Sequence, residues 1–343
     1  MKILVTGVDG YIGSLLAPML TRRGHCVTGL DTGYYREGWL YADRDAAALP
    51  ATLNRDLREI QEADLVGFDC IVHLAELSND PLGEMRPEVT MAINHRASVR
   101  LATLARGAGV PRFVYTSSCA GYGAGRDGLL TEQSDPNPQT TYARCKVLVE
   151  ADVAALASDR FSPVFLRNAT AFGASPRMRF DIVLNNLVGL ARTTGTIRMT
   201  SDGSPWRPLV HVLDICGAIA AAAEAPSAAV HREIFNVGDN GLNYRIRDVA
   251  GFVKEAYPDC EIGFGPPSAD RRSYRVAFDK IHDRLPEFRC RWDARAGVAQ
   301  LRDLFERIEL TTERFQFRAF TRLEELKYLL RTRQVDDALF WTR

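Results

Sequence analysis

No two cysteines in this 343-residue chain stand as Cys-x-x-Cys, and the seven that occur (26, 70, 119, 145, 216, 260 and 290) are scattered and odd in number. That excludes a thiolate zinc site or a disulfide framework as the organising device, and it fits a reducing cytoplasm. The six histidines include no His-Glu-x-x-His, so a zinc hydrolase has no support and no metal is expected. Net charge is missing too. With 43 basic residues against 43 acidic ones, no general electrostatic pull toward nucleic acid or an anionic membrane exists, although a local phosphate pocket is not excluded. No apolar run approaches a bilayer-spanning length, and the opening Met1-Lys2-Ile3-Leu4-Val5-Thr6-Gly7 is too short for a secretory leader, so a soluble, cytoplasmic chain is expected. Internal repeats and low-complexity blocks are absent as well. What remains is ordinary globular composition, 46% hydrophobic and 25% charged, at a length that suits one large domain or two fused lobes.

The first half alternates short apolar runs with amphipathic segments. Residues 3–6, 26–30, 70–74, 113–117 and 163–167 read as buried strands; 11–23, 89–108 and 142–157 read as helices between them. Continuous apolar strands separated by helices predict an α/β fold, a Rossmann-type doubly wound parallel sheet covered on both faces. Gly109-Val110-Pro111 supplies a helix exit. After about residue 170 the loops lengthen and gain Pro and Gly, with a late strand at 235–237 and a helix at 246–257. The expected division is 1–170 as the dinucleotide-binding domain, 171–310 as a smaller C-terminal substrate-binding lobe, and 311–343 as a helical extension, with some later segments returning to the first domain. Residues 294–330 read as strongly helical. The tail's Phe315, Phe317, Phe320, Leu323, Leu326, Leu329 and Leu330 read as packing on their own subunit, an oligomer or lid contact being the alternative.

Between the first strand and the first helix stands Thr6-Gly7-Val8-Asp9-Gly10-Tyr11-Ile12-Gly13. Gly7 allows a tight turn, Gly10 lets the backbone approach a pyrophosphate, and Gly13 allows close helix packing with the helix N-terminus facing the anion. The spacing is Gly-x-x-Gly-x-x-Gly rather than Gly-x-Gly-x-x-Gly, and a purely structural glycine turn is the competing reading. Asp31 ends the second strand where a carboxylate holds an adenosine ribose diol and repels a 2′-phosphate, which favours NAD over NADP. Asp56 is a candidate for the adenine edge, or an ordinary loop aspartate. Tyr142 and Lys146 share a helix face one turn apart, and the ammonium favours the ionised phenol. Alone, such a pair is usually a solvated coincidence. Beside a dinucleotide it means hydride chemistry on an alcohol or ketone.

The glycine loop, His73-Leu74-Ala75, Thr116-Ser117-Ser118 followed by Tyr122-Gly123, Tyr142-x-x-x-Lys146 and Arg207-Pro208-Leu209-Val210-His211-Val212-x-Asp214 follow one another in a telling order. Over roughly residues 1–290 the chain resembles the extended short-chain dehydrogenase/reductases, and within them the NAD-dependent epimerase/dehydratase group acting on nucleotide sugars, UDP-glucose 4-epimerases among them. The resemblance implies that Tyr142 is the catalytic base or acid, that Lys146 holds the nicotinamide ribose, and that Ser118 hydrogen-bonds the reacting hydroxyl, with Ser117 as the alternative. It implies cofactor contacts from Gly7, Gly10, Tyr11, Ile12, Gly13, Asp31, Asp56, Leu57, Leu74, Ala75, Glu76, Asn94, Thr116, Tyr142 and Lys146. Asn94 would act mainly by supporting its helix. Substrate contacts are expected from Ser78, Ser118, Cys119, Thr170, Asn186, Arg207 and Arg272. A guanidinium is a natural diphosphate clamp, a surface ion pair being the alternative for each arginine. A homodimer is implied, with neither nucleic acid nor membrane as partner.

Departures from the family pattern narrow the chemistry. Related 4,6-dehydratases carry an acidic pair, or at least a Glu, directly after the catalytic Ser/Thr; Cys119 and Ala120 stand there instead, which disfavours dehydration. Cys119 is either an acid-base thiol for C3/C5 epimerisation, as in fucose-synthase-like relatives whose cysteine lies one position further on, or a buried inert one. Glu76 replaces the usual small residue after His73-Leu74-Ala75 and either contacts a sugar hydroxyl or points to solvent. Thr170 stands where relatives often carry a substrate-binding Asn. The expected function is an NAD-dependent nucleotide-sugar epimerase, acting at C4 through a transient 4-keto intermediate. An NAD(P)H-dependent 4-ketoreductase or dehydrogenase is the alternative. A non-catalytic NAD-binding scaffold is the reading from another class, and the presence of both Tyr142 and Lys146 stands against it.

Overall fold

Ile3, Leu4 and Val5 are all buried although successive side chains leave a strand on opposite faces, so this strand must be covered on both sides. In the computed structural model, which describes residues 1–42, 50–78, 80–124, 128–266 and 273–342, it is β1 (Lys2–Thr6). Then come β2 (Cys26–Asp31), β3 (Ala51–Asn54), β4 (Cys70–His73), β5 (Arg112–Ser118), β6 (Ser162–Asn168) and β7 (Ile234–Val237). They form a seven-stranded sheet in the order β7-β6-β5-β4-β1-β2-β3, each neighbouring pair parallel. Ile3, Val5, Val72 and Val164 pack with α1 (Gly13–Arg22) on one face. Leu4, Ile71, Phe113 and Phe165 pack with Val149 and Val153 of α2 (Thr141–Ala154) on the other. The chain later returns as α3 (Val212–Glu224), which covers the first face through Ile215 and Ile219. This is the doubly wound α/β architecture read from the sequence. Its strand order reverses at β1, and the crevice beyond the strand ends there is where such sheets bind ligands.

Three elements differ from the expectation. β3 was not foreseen, because Ala51-Thr52-Leu53-Asn54 offers one large apolar side chain, Leu53, and that is 39% exposed at the sheet edge. The helix expected over 89–108 starts at Pro87 and passes through a π-helical turn, Met91–Ala97, before Ser98–Gly107. The strongly helical stretch expected over 294–330 consists of separate pieces, Ala294–Arg307, Thr312–Phe315 and α4 (Arg322–Arg331). Glu309 adopts a left-handed φ of 49°, and the Thr311 hydroxyl re-caps the chain by accepting from the Arg314 N–H. The breaks let Phe315 and Phe320 turn inward onto Phe180, and Leu326 and Leu329 onto Tyr34, Leu82 and Ile93. The tail packs on its own chain.

Beyond β6, Thr170–Phe172 pairs with Trp206–His211, which pairs in turn with Asn243–Arg245. A second core of Phe172, Phe180, Leu209, Val249 and Phe305 lies beneath this small sheet. Among the described residues, no helix is long and apolar enough to cross a membrane.

The helix that matters most is α2. Thr140 caps its start, its hydroxyl accepting from the Ala143 N–H at 3.2 Å. Tyr142, Lys146 and Glu150 follow at four-residue spacing on one face. Glu150 forms a buried ion pair with Arg167 of β6, 2.6 Å at the closest approach. Arg167 also donates to the Tyr122 hydroxyl at 3.0 Å, and that hydroxyl donates to Asn236 of β7 at 2.7 Å. The pair therefore ties the tyrosine/lysine face to two strands. Replacing Arg167 by Met would leave Glu150 buried and unpaired, at an expected cost of about 3–5 kcal/mol. The readout is a lower urea midpoint at unchanged slope; a loss below about 1 kcal/mol would mean that the pair does not anchor α2.

Candidate active site

At the C-terminal ends of the sheet strands lies a cavity of about 890 Å³. Its cofactor-side wall begins with the glycine loop. A Cβ on Gly7 would sit 2.9 Å from the Ala75 nitrogen, and one on Gly13 would sit 2.7 Å from Val8 Cα, so β1, the loop and β4 approach too closely for side chains. Gly7 also holds a left-handed φ of 72°. A Cβ on Gly10 would meet nothing but the Gly7 carbonyl within 4 Å, so its bareness leaves room for a ligand rather than for packing. No side chain caps the N-terminus of α1, which leaves its positive end open to an anion. Tyr11 is fixed from behind: its hydroxyl donates to the Gly173 carbonyl at 2.6 Å and accepts from Asn185 at 3.2 Å.

Asp31 lies at the end of β2 on the same wall and accepts from the Asp9 and Gly33 N–H groups at 3.0 and 2.7 Å. Burial raises its pKa, and those two hydrogen bonds oppose the rise. Asp56 and Leu57 continue the wall. Both oxygens of Asp56 hold Arg58, at 2.8 and 2.7 Å. Together the glycine cradle, the open helix end and the Asp31 carboxylate fit NAD.

The reactive end is built from Glu76, Thr116, Ser118, Tyr142 and Lys146, all on the cavity wall. The Thr116 hydroxyl donates to the His73 carbonyl at 2.8 Å, and Lys146 donates to the Thr116 carbonyl. Sequence reasoning left Glu76 between a sugar contact and solvent. The structure turns it away from solvent: on the cavity wall its carboxylate is buried, lies 2.7 Å from Lys146 Nζ, and accepts from the Tyr115 hydroxyl at 2.6 Å. Burial by itself would push Lys146 down, but Glu76 and then Tyr142 outweigh it and hold the ammonium above its ordinary pKa. For Tyr142 the balance runs upward: burial raises its pKa, Lys146 lowers it, Glu76 and Asp80 raise it further, and a hydrogen bond with Ser118 lowers it. The lysine acts in the expected direction, but burial and the carboxylates prevail. Ser118 and Ser117 also separate. The Ser117 hydroxyl is bound to Glu150, whereas Ser118 is the one beside the Tyr142 phenol.

Leu74, Ala75, Ser78, Thr170 and Arg207 line the cavity as expected. Arg207 donates to the Trp206 carbonyl at 2.9 Å and stands with Thr200, Ser201, Pro205 and Pro266 on the wall beside the second sheet. Three expected residues do not reach this wall. Asn94 is fully buried and exchanges two hydrogen bonds with the Leu77 backbone, at 2.8 and 2.9 Å, so it shapes the loop after β4. Asn186 donates to the Phe180 carbonyl at 3.0 Å. Cys119 is 1% exposed, its thiol donates to the Arg167 carbonyl at 3.2 Å, and burial drives its pKa far up. A neutral thiol away from the cavity cannot exchange protons with a sugar, so the C3/C5 acid-base reading of Cys119 is withdrawn. Arg272 lies outside the described residues.

Several wall residues were missed. Arg179 makes a two-point ion pair with Asp181, both contacts 2.9 Å, and donates to the Ser78 hydroxyl at 3.1 Å. The alternation Arg177-x-Arg179-x-Asp181 was the available signal. Tyr34, Tyr35 and Arg322 carried none, because they meet only through the fold. Among the described residues, no group of three or more His, Cys, Asp or Glu is placed to hold a metal.

Fold and wall together define an NAD-dependent enzyme of the extended short-chain dehydrogenase/reductase type. The profile of the NAD dependent epimerase/dehydratase family matches residues 3–238, and the chain belongs to that family. It is similar to the UDP-glucose 4-epimerase of Corynebacterium glutamicum, 29% identical in an alignment 271 residues long that covers 74% of this chain and 80% of that one. Among solved structures, MoeE5 in complex with UDP-glucose and NAD is 25% identical, with a TM-score of 0.77 over 90% of this chain and 100% of that one. TunA, an NAD-dependent NDP-hexosamine 5,6-dehydratase, shares the fold at a TM-score of 0.78 and 24% identity, over 89% of this chain and 98% of its own.

Asp31→Asn removes the charge while keeping an acceptor for the Asp9 or Gly33 N–H. It is expected to narrow the preference for NAD over NADP by about tenfold, worth ~1.4 kcal/mol, in a titration with each dinucleotide. An unchanged ratio would mean that Asp31 does not face the ribose.

Proposed function

We propose that the enzyme epimerises a nucleotide sugar, UDP-glucose being the first candidate, at C4 through a transient 4-keto sugar. The observation that carries this reading is the pairing of Tyr142 with Ser118 on the cavity wall while the carboxylates around them already have partners. Glu76 holds Lys146 and Tyr115, Asp181 holds Arg179, and Asp80 accepts from the Thr140 hydroxyl at 2.6 Å. A 4,6-dehydratase needs an acid and a base of its own beside the sugar, and Cys119 and Ala120 supply neither. The similarity to a UDP-glucose 4-epimerase points the same way.

In this reading the Tyr142 phenolate takes the proton of the C4 hydroxyl, and Ser118 holds that oxygen by a hydrogen bond. Lys146 stabilises the phenolate and grips the nicotinamide ribose. NAD, when bound, would supply a reversible hydride acceptor beside the sugar. The keto sugar turns in the cavity, and Tyr142 returns the proton to the C4 oxygen, the configuration at C4 now being inverted. Gly7, Gly10, Gly13 and Asp31 hold the dinucleotide; Arg207 and Thr170 lie along the nucleotide-sugar path.

The deciding experiment incubates the NAD-loaded protein with UDP-glucose and other nucleotide sugars without added cofactor. Interconversion of two sugars with no net absorbance change of the nicotinamide is expected, and Tyr142→Phe should lower the rate by about 10²–10⁴-fold. Turnover only with added NADH or NADPH would make the enzyme a ketoreductase instead. Glu76→Gln tests the electrostatics. With the carboxylate gone, Lys146 acts on Tyr142 alone, the phenolate is favoured, and the acid limb of the kcat/KM profile should move to lower pH. A limb that stays put or moves up would sink the assignment of Glu76.

A further inference from the structure

Arg322 opens α4 and is 2% exposed, yet neither of its terminal nitrogens has a hydrogen-bond partner among the described residues. It lines the cavity, with its guanidinium stacked over the Tyr35 ring, 4.0 Å from the centroid. The nearby carboxylates are engaged elsewhere: Asp181 with Arg179 at two points, and Glu325 with Arg318 at 3.1 Å. Burial lowers the Arg322 pKa to about 10, with Arg179 and Arg177 adding to the effect and Tyr35 and Asp181 offsetting part of it. A dehydrated guanidinium without an acceptor is costly, and its planar fork matches two phosphate oxygens.

The surroundings say which anion. Tyr35 belongs to the loop that follows Asp31 at the end of β2, and the neighbouring Arg179 is near enough to the Tyr11 phenol in the glycine loop to oppose part of the rise that burial gives its pKa. The uncapped end of α1 lines the same cavity. The rest of the tail grips the loop after β2 from outside. Trp341 donates to the Thr32 carbonyl at 2.7 Å, and Tyr34 donates to the Leu339 carbonyl. Arg58, which holds Asp56, donates to the Ala338 carbonyl at 2.6 Å and stacks on Phe340 at 3.5 Å. All of these tail residues lie beyond residue 238, where the family match ends.

We infer that Arg322 binds the pyrophosphate of NAD and that residues 322–342 are a clasp completing the cofactor site. The inference rests on the cofactor, not on which sugar carbon reacts, so it stands or falls apart from the epimerase reading. The test is calorimetric titration of the NAD-free protein with NAD, ADP-ribose and UDP, for the unmodified chain, Arg322→Met and Arg322→Lys. Arg322→Met should weaken NAD and ADP-ribose alike by about tenfold or more, with Arg322→Lys between the two and UDP unaffected. NAD affinity within about twofold of the unmodified chain overturns the inference, as does a loss confined to UDP, which would assign the anion to the substrate. If Arg322→Met does not fold, hydrogen exchange on the unmodified protein decides. ADP-ribose should slow exchange across 322–331, whereas adenosine, lacking the pyrophosphate, should not; equal effects from both, or none from ADP-ribose, overturn it.

Discussion

The buried ion pair between Glu150 and Arg167 is the constraint on which the reactive end depends. Tyr142 and Lys146 belong to a helix that touches the sheet along one face, and their reach into the cavity is set by how that helix sits. Glu150 is the third member of the same face, so whatever holds it also aims the other two. Both partners are nearly sheltered from water, with side-chain exposures of 7% and 6%, and pairing is what makes their burial tolerable. The extension through Tyr122 to Asn236 spreads the restraint over β6 and β7.

Charge at the reactive end is shared rather than concentrated. Lys146 serves Glu76 and the Thr116 carbonyl while it faces the Tyr142 ring at 5.6 Å. A free ammonium would pull the phenol strongly toward ionisation; one already matched by a carboxylate pulls less. Burial and the carboxylates hold Tyr142 above its ordinary pKa, and anything that draws Lys146 away from Glu76 changes the acidity of Tyr142. Ribose hydroxyls at Lys146 would be one such influence.

The sheet, the glycine loop, Asp31 and the Tyr142/Lys146 helix were legible because each depends on local spacing: apolar runs, glycines where backbones nearly touch, and a four-residue helical repeat. β3 escaped because an exposed edge strand needs no apolar pattern. The breaks in the C-terminal helices escaped because Phe315 and Leu326 are drawn inward by residues far away in the chain. Glu76 could be seen as a departure, but its partner could not, since the contact with Lys146 joins positions 70 residues apart. Cys119, Asn94 and Asn186 show the opposite error. Ser118 and Ile93 reach the cavity, but one residue further along the chain Cys119 and Asn94 turn into the interior, while Asn186 is held by the Phe180 carbonyl. The position of Arg322 could not be read at all, because no motif records which distant helix will cover a loop.

The bond from Trp341 to Thr32 spans 309 residues, and that from Tyr34 to Leu339 spans 305. A ribosome releases the strand that carries Asp31 long before it makes the segment that covers it. Closing a loop of that size comes late, after local helices and neighbouring strands have formed. The emerging sheet therefore spends much of its synthesis with the loop after β2 uncovered and with Tyr34 and Leu82 lacking the tail residues they pack against. Apolar surface left bare over that interval is open to aggregation.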